Sequence, residues 1–311
     1  MRIGTRGSAL ALAQAGAVGA LLGGGHEIVT ITTAGDRGEA IGDKARWTSA
    51  LEQALLDGRI DVAVHSAKDV PGELADGTTI AAVPLRQDPS DALCGAAEIA
   101  SLGSGARVGT SSIRRTAQLR ALREDLTVVE VRGNVDTRLR KLEAGEVDAL
   151  VLAKAGLDRL GRSAEATGLL HELVPAPGQG ALLVQARDGD SATLAQVATI
   201  NDSSAERCVI SERALAGHLE ATCNTPLGAL AVPASELDVT LRAWVGLPDG
   251  SHWIADEITA PPEQAARELA ERMTSVGARE LLARAEAMAG DGKETHPDGG
   301  FPSRRSDRVQ S

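Results

Sequence analysis

Aromatic side chains are nearly missing from this sequence. Its 311 residues include no tyrosine, one phenylalanine and three tryptophans, about 1% in all. The cores must therefore be built from alanine, valine, leucine and isoleucine, and the shortage argues against the aromatic platforms on which single-stranded nucleic acids stack. The apolar fraction of 43% and the charged fraction of 24% are otherwise typical of a globular protein.

Cysteine is also scarce. Cys94, Cys208 and Cys223 are three in number and include no close pair. This spacing argues against a disulfide framework and against a zinc site, so we expect no metal. Burial as a small apolar side chain is the default expectation for Cys94 and Cys208. Cys223 instead follows a helical pattern and precedes Thr-Pro, which indicates an exposed turn where a thiol can be reached, so both a structural and a functional cysteine stay open at this position.

Long apolar runs are absent as well. No run approaches the roughly 20 residues that span a bilayer, and the N-terminus lacks the plan of a signal peptide. The net charge of −11 disfavours general binding to nucleic acids or anionic membranes. We therefore expect a cytoplasmic protein with no nucleic-acid or membrane partner, although a local basic pocket is compatible with this charge.

The first two-thirds of the chain alternate short β-rich runs with helical patterns, which is typical of α/β architecture. The pattern restarts after RQDPSD at 86–91, a polar crossover that contains proline. We predict two similar α/β lobes that face a cleft, in which ligands bind at the carboxyl ends of the strands.

A different unit begins near residue 202. A helix is predicted at 203–220, with Ser203 and Glu206 as a capping box, and a strand hairpin follows Cys223. A long helical stretch then runs to 289 and is interrupted at Gly277. This pattern predicts a small α+β domain, and the composition beyond it is typical of disorder.

Four polar clusters lie where predicted strands end: TRGS, HSAKDVP, GTSSIRR and VRGNVDTR. In three of them, a strand leads through a small polar turn to a helix start, whose free N–H groups and dipole favour anions. Arginine binds carboxylate or phosphate through two parallel hydrogen bonds. The arginines beside these three turns are Arg6, Arg114, Arg115, Arg132 and Arg138. In an acidic protein, this concentration predicts a cleft for a polyanion.

Each cluster also has a simpler interpretation. A single turn of this kind is most often a helix cap beside a surface charge, and only the recurrence favours a site. In HSAKDVP, Lys68 and Asp69 are either a structural ion pair or functional groups. In the second case Asp69 acts as an acid/base or cation-stabilising carboxylate and Lys68 binds a substrate carboxylate.

Taken together, these stretches resemble the hydroxymethylbilane synthases, or porphobilinogen deaminases. TRGSALALAQA, AVHSAKDVP, GTSSIRR, VRGNVDTRLRKLEAGEVDALVLAKAGLDRLG, PAPGQGAL and ATCNTPLGA occur in the family's order and near its spacing. The resemblance implies two lobes like type II periplasmic binding proteins that flank a cleft, and a small α+β C-terminal domain that carries the cofactor cysteine. The expected boundaries are 1–86 with 181–200 for the first domain, 87–180 for the second, 201–289 for the third and 290–311 for a disordered tail.

The resemblance also implies an enzyme, a transferase of tetrapyrrole (haem) biosynthesis. It joins four porphobilinogen molecules head to tail on a dipyrromethane cofactor, releases ammonia at each step, and finally hydrolyses off hydroxymethylbilane. The cofactor is expected as a thioether on Cys223. Asp69 matches the family's catalytic aspartate, which stabilises cationic pyrrole intermediates and assists proton transfer. Family members use no metal or nucleotide and are usually monomeric.

The remaining matches divide between cofactor and substrate. Besides Cys223, the residues expected to bind the cofactor are Lys68, Ser112, Arg114, Arg115, Arg132 and Arg138. Those expected to bind the substrate are Arg6, Ser8, Gln14, Lys44, Thr110, Arg159 and Gln179. Two stretches depart from the family pattern: GDKARWTSALE replaces a Gly-Lys-Gly-Leu-Phe-like loop, and Ala221 and Thr222 replace two glycines before the cysteine.

Two other functions stay open from the residues alone. A non-catalytic, two-lobed anion-binding protein would explain the lobes and the arginine turns, but neither Cys223 nor the neighbouring Lys68 and Asp69. A diverged paralogue that acts on a related pyrrole is compatible with the altered stretch before residue 45.

Overall fold

The computed structural model describes residues 1–33, 45–222 and 224–294. The expectations for Lys44, for Cys223 and for the tail beyond 294 lie outside the described residues. The strands are β1 (Arg2–Thr5), β2 (Glu27–Thr30), β3 (Val62–Ser66), β4 (Thr78–Ala82), β5 (Asp91–Cys94), β6 (Arg107–Gly109), β7 (Thr127–Val129), β8 (Ala149–Ala153), β9 (Gly168–Leu170), β10 (Leu182–Arg187), β11 (Leu227–Pro233), β12 (Val239–Gly246) and β13 (Trp253–Ala260). The helices are α1 (Ala9–Leu21), α2 (Ala45–Leu56), α3 (Ile113–Leu122), α4 (Val135–Glu143), α5 (Lys154–Arg159), α6 (Ser191–Ala198), α7 (Ser203–His218), α8 (Pro262–Ser275) and α9 (Ala278–Glu294).

Two five-stranded sheets share one arrangement. The first has the order β2-β1-β3-β10-β4 and the second the order β7-β6-β8-β5-β9. In each, four strands run in one direction, and one strand, β10 or β5, is antiparallel to the central strand and to the edge strand beside it. We call the first sheet with its helices α1, α2 and α6 the first lobe, and the second sheet with α3, α4 and α5 the second lobe.

The chain crosses between the lobes twice, and the crossovers run side by side. The amide of Gln87 donates to the carbonyl of Gly180 at 3.3 Å, and Arg86 Nε donates to the carbonyl of Gln179 at 2.9 Å. Gly180 has φ +86°, and a Cβ there would lie 2.4 Å from the carbonyl oxygen of Gln87. Only glycine fits this position without displacing the other crossover.

The third unit packs α7, α8 and α9 against the antiparallel sheet β11-β12-β13. Its core contains alanine, leucine and valine with Cys208 and Met273, as the composition requires. Gly277, with φ +97°, lies between α8 and α9 and accounts for the predicted interruption. Asp202 rather than Ser203 caps α7, since its side chain accepts from the amide of Ala205 at 2.7 Å.

The predicted fold class is confirmed: two α/β lobes are followed by a small α+β unit. The proposed domain boundaries stay a prediction. The last described helix, α9, extends to Glu294. Within the described ranges, no helix combines the length and the apolar character needed to cross a membrane.

Candidate active site

Two of the polar clusters meet at one edge of the first lobe. β1 and β3 are parallel neighbours, so the residues that follow them emerge on the same side of the sheet. After β1, the hydroxyl of Ser8 accepts from the amide of Ala11 at 3.2 Å and caps α1. After β3, a single 3₁₀ turn at Ala67–Asp69 carries Lys68 and Asp69.

The other two clusters meet in the same way in the second lobe. β6 and β7 are parallel neighbours. After β6, the hydroxyl of the buried Thr110 accepts from the amide of Ser112, and the hydroxyl of Ser112 accepts from the amide of Arg115 to cap α3. After β7, Asn134 caps α4 by accepting from the amide of Thr137 at 2.9 Å.

The two edges face one another across the crossovers. Lys68 Nζ lies 3.4 Å from Gln179 Oε1, and Arg159 Nη2 donates to the carbonyl of Gly180 at 2.7 Å. Gly156 on α5 approaches Leu10 on α1. The structure therefore brings residues from both lobes to one cleft, as the resemblance implied.

Asp91 is the buried anion of this cleft. Arg114 Nη1 donates to Asp91 Oδ2 at 2.8 Å, and Arg115 Nη2 donates to Asp91 Oδ1 at 2.8 Å. Gln179 Nε2 also donates to Asp91 Oδ1, at 2.8 Å. Burial by itself raises the pKa of Asp91, but the two guanidinium charges and these hydrogen bonds outweigh it and hold the pKa well below its usual range. Arg114 and Arg115 thus bind a carboxylate of the protein itself.

Around Asp91, positively charged side chains nonetheless outnumber the negatively charged ones. Burial, followed by the charge of Arg115, lowers the pKa of Lys68 to about 8. The same two causes lower the pKa of Arg138, and burial lowers that of Arg159 to about 10. Arg114 Nε is buried and has no hydrogen-bond partner among the described residues. Because Lys68, Arg138 and Arg159 form no ion pair with a described residue and contact only an amide oxygen or backbone carbonyls, a ligand with several carboxylates, such as a dipyrromethane, fits the cleft.

Asp69 lies on the wall of a small cavity in the first lobe. The residues that line the cavity are Arg6, Ser8, Leu10, Ala11, Gln14, Thr48, Val64, His65, Ser66 and Asp69. The cavity thus contains the predicted catalytic carboxylate and three of the predicted substrate-binding residues. The third unit also fixes the chain directly after Asp69, because Arg213 on α7 donates to the carbonyls of Val70 and Pro71.

A buried polar network supports this cavity from behind. His65 Nε2 lies 3.0 Å from Gln185 Oε1, and Gln185 Nε2 donates to Glu52 Oε1 at 3.1 Å and to Thr78 Oγ1 at 2.8 Å. Burial lowers the pKa of His65 to about 4, although the hydrogen bond that it donates to Gln185 acts in the opposite direction. The imidazole is therefore neutral at neutral pH.

Arg132 and Arg138, both predicted to bind the cofactor, contact neighbours in the sequence. Arg132 is 77% exposed along its side chain and forms an ion pair with Glu130 at 2.7 Å. Arg138 Nε donates to the carbonyl of Gly133 at 2.8 Å. Both follow β7 at the edge of the cleft, and their roles toward a cofactor stay predictions.

The two described cysteines are unsuited to carry a cofactor. Cys94 and Cys208 are buried and free, and burial raises the pKa of each thiol to about 11. A thiol rather than a thiolate at neutral pH is a poor nucleophile.

Sequence reasoning missed Asp91, Thr48 and Gln185 as parts of the site. Asp91 is recognisable only as an acidic residue at the end of a polar crossover, and its partners lie more than 20 positions away. Thr48 and Gln185 have no local signal, because their place in the site depends on how α2 and β10 pack against β3.

Comparison with known proteins agrees with this geometry. Residues 1–195 match the family model of the porphobilinogen deaminase dipyromethane cofactor-binding domain, and residues 206–275 match the porphobilinogen deaminase C-terminal domain. The chain is 47% identical over 292 residues to a porphobilinogen deaminase of Rubrobacter xylanophilus, covering 90% of this chain and 95% of that protein. It is 45% identical over 305 residues to one of Mycolicibacterium paratuberculosis, covering 91% and 96%.

Solved structures show weaker likenesses. A TRAP periplasmic solute binding protein from Desulfovibrio salexigens aligns with a TM-score of 0.40 and 12% identity, covering 66% of this chain and 72% of that one. Substrate binding domain 2 of GlnP from Lactococcus lactis aligns with a TM-score of 0.38 and 12% identity, covering 64% and 85%.

Proposed function

The chain belongs to the porphobilinogen deaminase family, and from that premise we propose how its own residues perform the family's reaction. The protein is a transferase of tetrapyrrole biosynthesis with a dipyrromethane cofactor. It joins four porphobilinogen molecules head to tail, with loss of ammonia, and releases the linear product by hydrolysis. When bound, the dipyrromethane supplies the nucleophilic pyrrole carbon to which the first substrate is joined.

The observation that carries this proposal is the concentration of partly buried cationic groups (Lys68, Arg138 and Arg159) in the cleft that also contains Asp69. Porphobilinogen has two carboxylates, so a growing chain of pyrroles is strongly anionic. We assign Lys68, Ser112, Arg114, Arg115, Arg132 and Arg138 to the cofactor, and Arg6, Ser8, Gln14, Lys44, Thr110, Arg159 and Gln179 to the substrate. Guanidinium groups suit this role because they bind carboxylates through two hydrogen bonds and stay charged.

Asp69 is assigned the catalytic role. Loss of ammonia from the substrate leaves a positive charge on the pyrrole and its methylene carbon, and a carboxylate fixed beside it stabilises such a charge. The same oxygen atoms can accept the proton that leaves the ring after the new C–C bond has formed. The lining of the cavity by Arg6, Ser8 and Gln14 supports this assignment, because the substrate's own carboxylates would find partners beside Asp69.

Cys223 is proposed to carry the cofactor, and the intact mass of the protein tests this. We expect the wild-type protein to carry the added mass of two pyrrole units, and Cys223→Ser to carry none. Cys94→Ala is the matched control and should keep the added mass, because Cys94 is buried within β5. If the wild-type protein never gains this mass, even after incubation with porphobilinogen, the proposal is wrong. The protein would then be a receptor for small anions.

The two alternatives are not favoured by the family match over both parts of the chain. Turnover of porphobilinogen with release of ammonia excludes both, since a binding protein gives no turnover and a paralogue prefers another pyrrole.

The proposal includes a cytoplasmic location and a monomeric state. Light scattering on the purified protein should give the mass of one chain.

A further inference from the structure

The floor of the Asp69 cavity contains a hydroxyl group without a partner. Thr48 lines the cavity from α2 and is 1% exposed. Its Oγ1 is buried and has no hydrogen-bond partner among the described residues. A buried hydroxyl in this state destabilises the fold, so such groups are normally satisfied by a ligand or an ordered water.

His65 presents a second polar atom to the same cavity. Gln185 uses its Nε2 donors on Glu52 and Thr78, so its Oε1 must accept the hydrogen bond from His65 Nε2. The proton of the neutral imidazole is therefore on Nε2, and Nδ1 is an acceptor. No other hydrogen bond of this ring is formed with a described residue.

The size and charge of the cavity limit what can bind there. Its volume is about 60 Å³, which is room for several waters. Arg6 and the charge of Arg213 at His65 offset the carboxylate of Asp69, so the cavity does not favour a small cation such as ammonium. Directly beside Thr48 and His65, a carboxylate oxygen would meet the acceptor Nδ1 of His65. A neutral molecule that both donates and accepts hydrogen bonds fits these groups.

We propose that Thr48 and His65 hold a water molecule beside Asp69, and that this water is consumed when the product is released. The proposal rests on the proposed function. In this arrangement the water accepts from Thr48 Oγ1 and donates to His65 Nδ1 and to the carboxylate of Asp69, so that a lone pair stays available for attack.

Release of the product consumes one water molecule. Its oxygen forms a bond to the methylene carbon at the end of the product, and the C–C bond between that carbon and the primer breaks. The electron pair of the broken bond takes up a proton at the primer's pyrrole carbon. The water transfers one proton to Asp69, which passes it to that pyrrole carbon and ends ionised, and the water keeps the other proton as part of the product's hydroxyl. Thr48 and His65 are positioning residues in this scheme.

Thr48→Val tests the site because valine has nearly the same shape and no hydroxyl. A high-resolution crystal structure of the wild-type protein, as purified, should show an ordered water within hydrogen-bond distance of Thr48 Oγ1, and the Thr48→Val structure should lack it. Thr48→Ser should restore it. Thr116→Val is the control, since Thr116 is also buried on a helix but does not line the cavity.

Single-turnover kinetics separate the release of the product from the elongation of the pyrrole chain. Loss of one hydrogen bond of about 1–1.5 kcal/mol corresponds to a release step roughly tenfold slower. Single-turnover reactions followed by intact mass should show that Thr48→Val accumulates protein with four added pyrrole units, while the earlier additions keep their rates. Thr48→Ser and Thr116→Val should release product at the wild-type rate.

Two results would overturn the proposal. If the wild-type crystal structure contains no water at Thr48, the site does not exist. If the water is present but Thr48→Val slows every addition equally, or slows none of the steps, the water is structural and is not the one consumed. A wild-type protein that never carries the primer contradicts the proposed function instead, and the crystallographic result still stands by itself.

Discussion

At the scale of single residues, the cleft depends on one buried carboxylate. Asp91 is fully buried and is the shared partner of Arg114 and Arg115. We expect Asp91→Ala to lower the free energy of unfolding by about 3–5 kcal/mol, because it leaves two buried guanidinium groups without a counter-charge. Chemical denaturation measures this loss. Asp148→Ala removes an exposed partner of Arg107 and should change the denaturation midpoint little; equal losses in the two variants would contradict the role of Asp91.

Asp69 should matter for catalysis and little for stability. It lies on the cavity wall, partly exposed, in a short turn. We expect Asp69→Asn to reduce turnover of porphobilinogen by roughly 10²–10⁴-fold, the range of a lost acid/base group, with an unchanged melting temperature. Asp76→Asn, at an exposed position in the following loop, is the matched control. Turnover near the wild-type rate in Asp69→Asn would remove this residue from the chemistry.

His65 should make stability depend on pH in a defined window. The folded protein keeps this imidazole neutral down to about pH 4, whereas the unfolded chain takes up a proton near pH 6.5. As the pH falls through this window, the unfolded state gains a proton that the folded state does not, so the free energy of unfolding decreases. The difference between the two pKa values corresponds to about 3 kcal/mol.

The variant His65→Gln isolates this contribution because glutamine can still donate to Gln185 and does not titrate. Relative to this variant, the wild-type protein should lose up to about 3 kcal/mol of stability between pH 7 and pH 4. Urea denaturation at a series of pH values measures the difference. His252→Gln, at an exposed position, should follow the wild-type curve. Parallel curves for wild type and His65→Gln would show that His65 is protonated in the folded state.

At the scale of elements, the sequence predicted the parallel strands of the two lobes and the antiparallel hairpin of the third unit, and it missed the antiparallel strand inside each lobe sheet. The apolar runs ahead of the four polar clusters identify β1, β3, β6 and β7. β5 and β10 were not predicted. β5 has only four residues and follows a polar crossover, so its position as a strand depends on pairing with β8, more than 50 positions away.

The residues of the four polar clusters were predictable because their signal is local in the sequence. A strand followed by a polar turn and a helix start is a local pattern, and its functional residues lie within that pattern. Asp91 and Gln185 instead contribute through partners brought near by the crossovers, so no window of the sequence contains both sides of the interaction. The capping of α7 by Asp202 was missed because Ser203 with Glu206 also satisfies the capping-box pattern.

The two crossovers should tolerate no side chain at Gly180. A Cβ there meets the carbonyl oxygen of Gln87 at 2.4 Å, and φ of +86° is unfavourable for alanine. We expect Gly180→Ala to lower the free energy of unfolding by at least about 1–2 kcal/mol and to weaken anion binding, because the facing edges of the lobes shift. Gly189→Ala is the control, as nothing lies within 4 Å of its Cβ position. Denaturation curves that coincide for the two variants would contradict the close approach.

At the scale of the whole molecule, Glu212 joins the crossovers to the third unit. This carboxylate on α7 is fully buried and accepts from Arg86 Nη1 and Nη2 at 2.6 and 3.1 Å. It also accepts from the amide of Gly178 in the second crossover at 2.6 Å and from the amide of Ala231 in β11 at 2.8 Å. One side chain thus holds both crossovers and the sheet of the unit that is predicted to carry the cofactor.

Glu212→Gln should therefore uncouple the third unit from the lobes. The amide nitrogen of glutamine would face donors that now meet an acceptor, and Arg86 would lose its buried counter-charge, a change of about 3–5 kcal/mol. Since α7, α8 and α9 pack on their own sheet around a separate core, that core should survive the loss of the connection. Calorimetry should show the single main transition of the wild-type protein split into two, with the first at a lower temperature. Glu271→Gln, exposed on α8, should leave the wild-type profile unchanged. A single unshifted transition in Glu212→Gln would mean that apolar contacts alone couple the three units, and that the buried carboxylate serves only the local geometry of the crossovers.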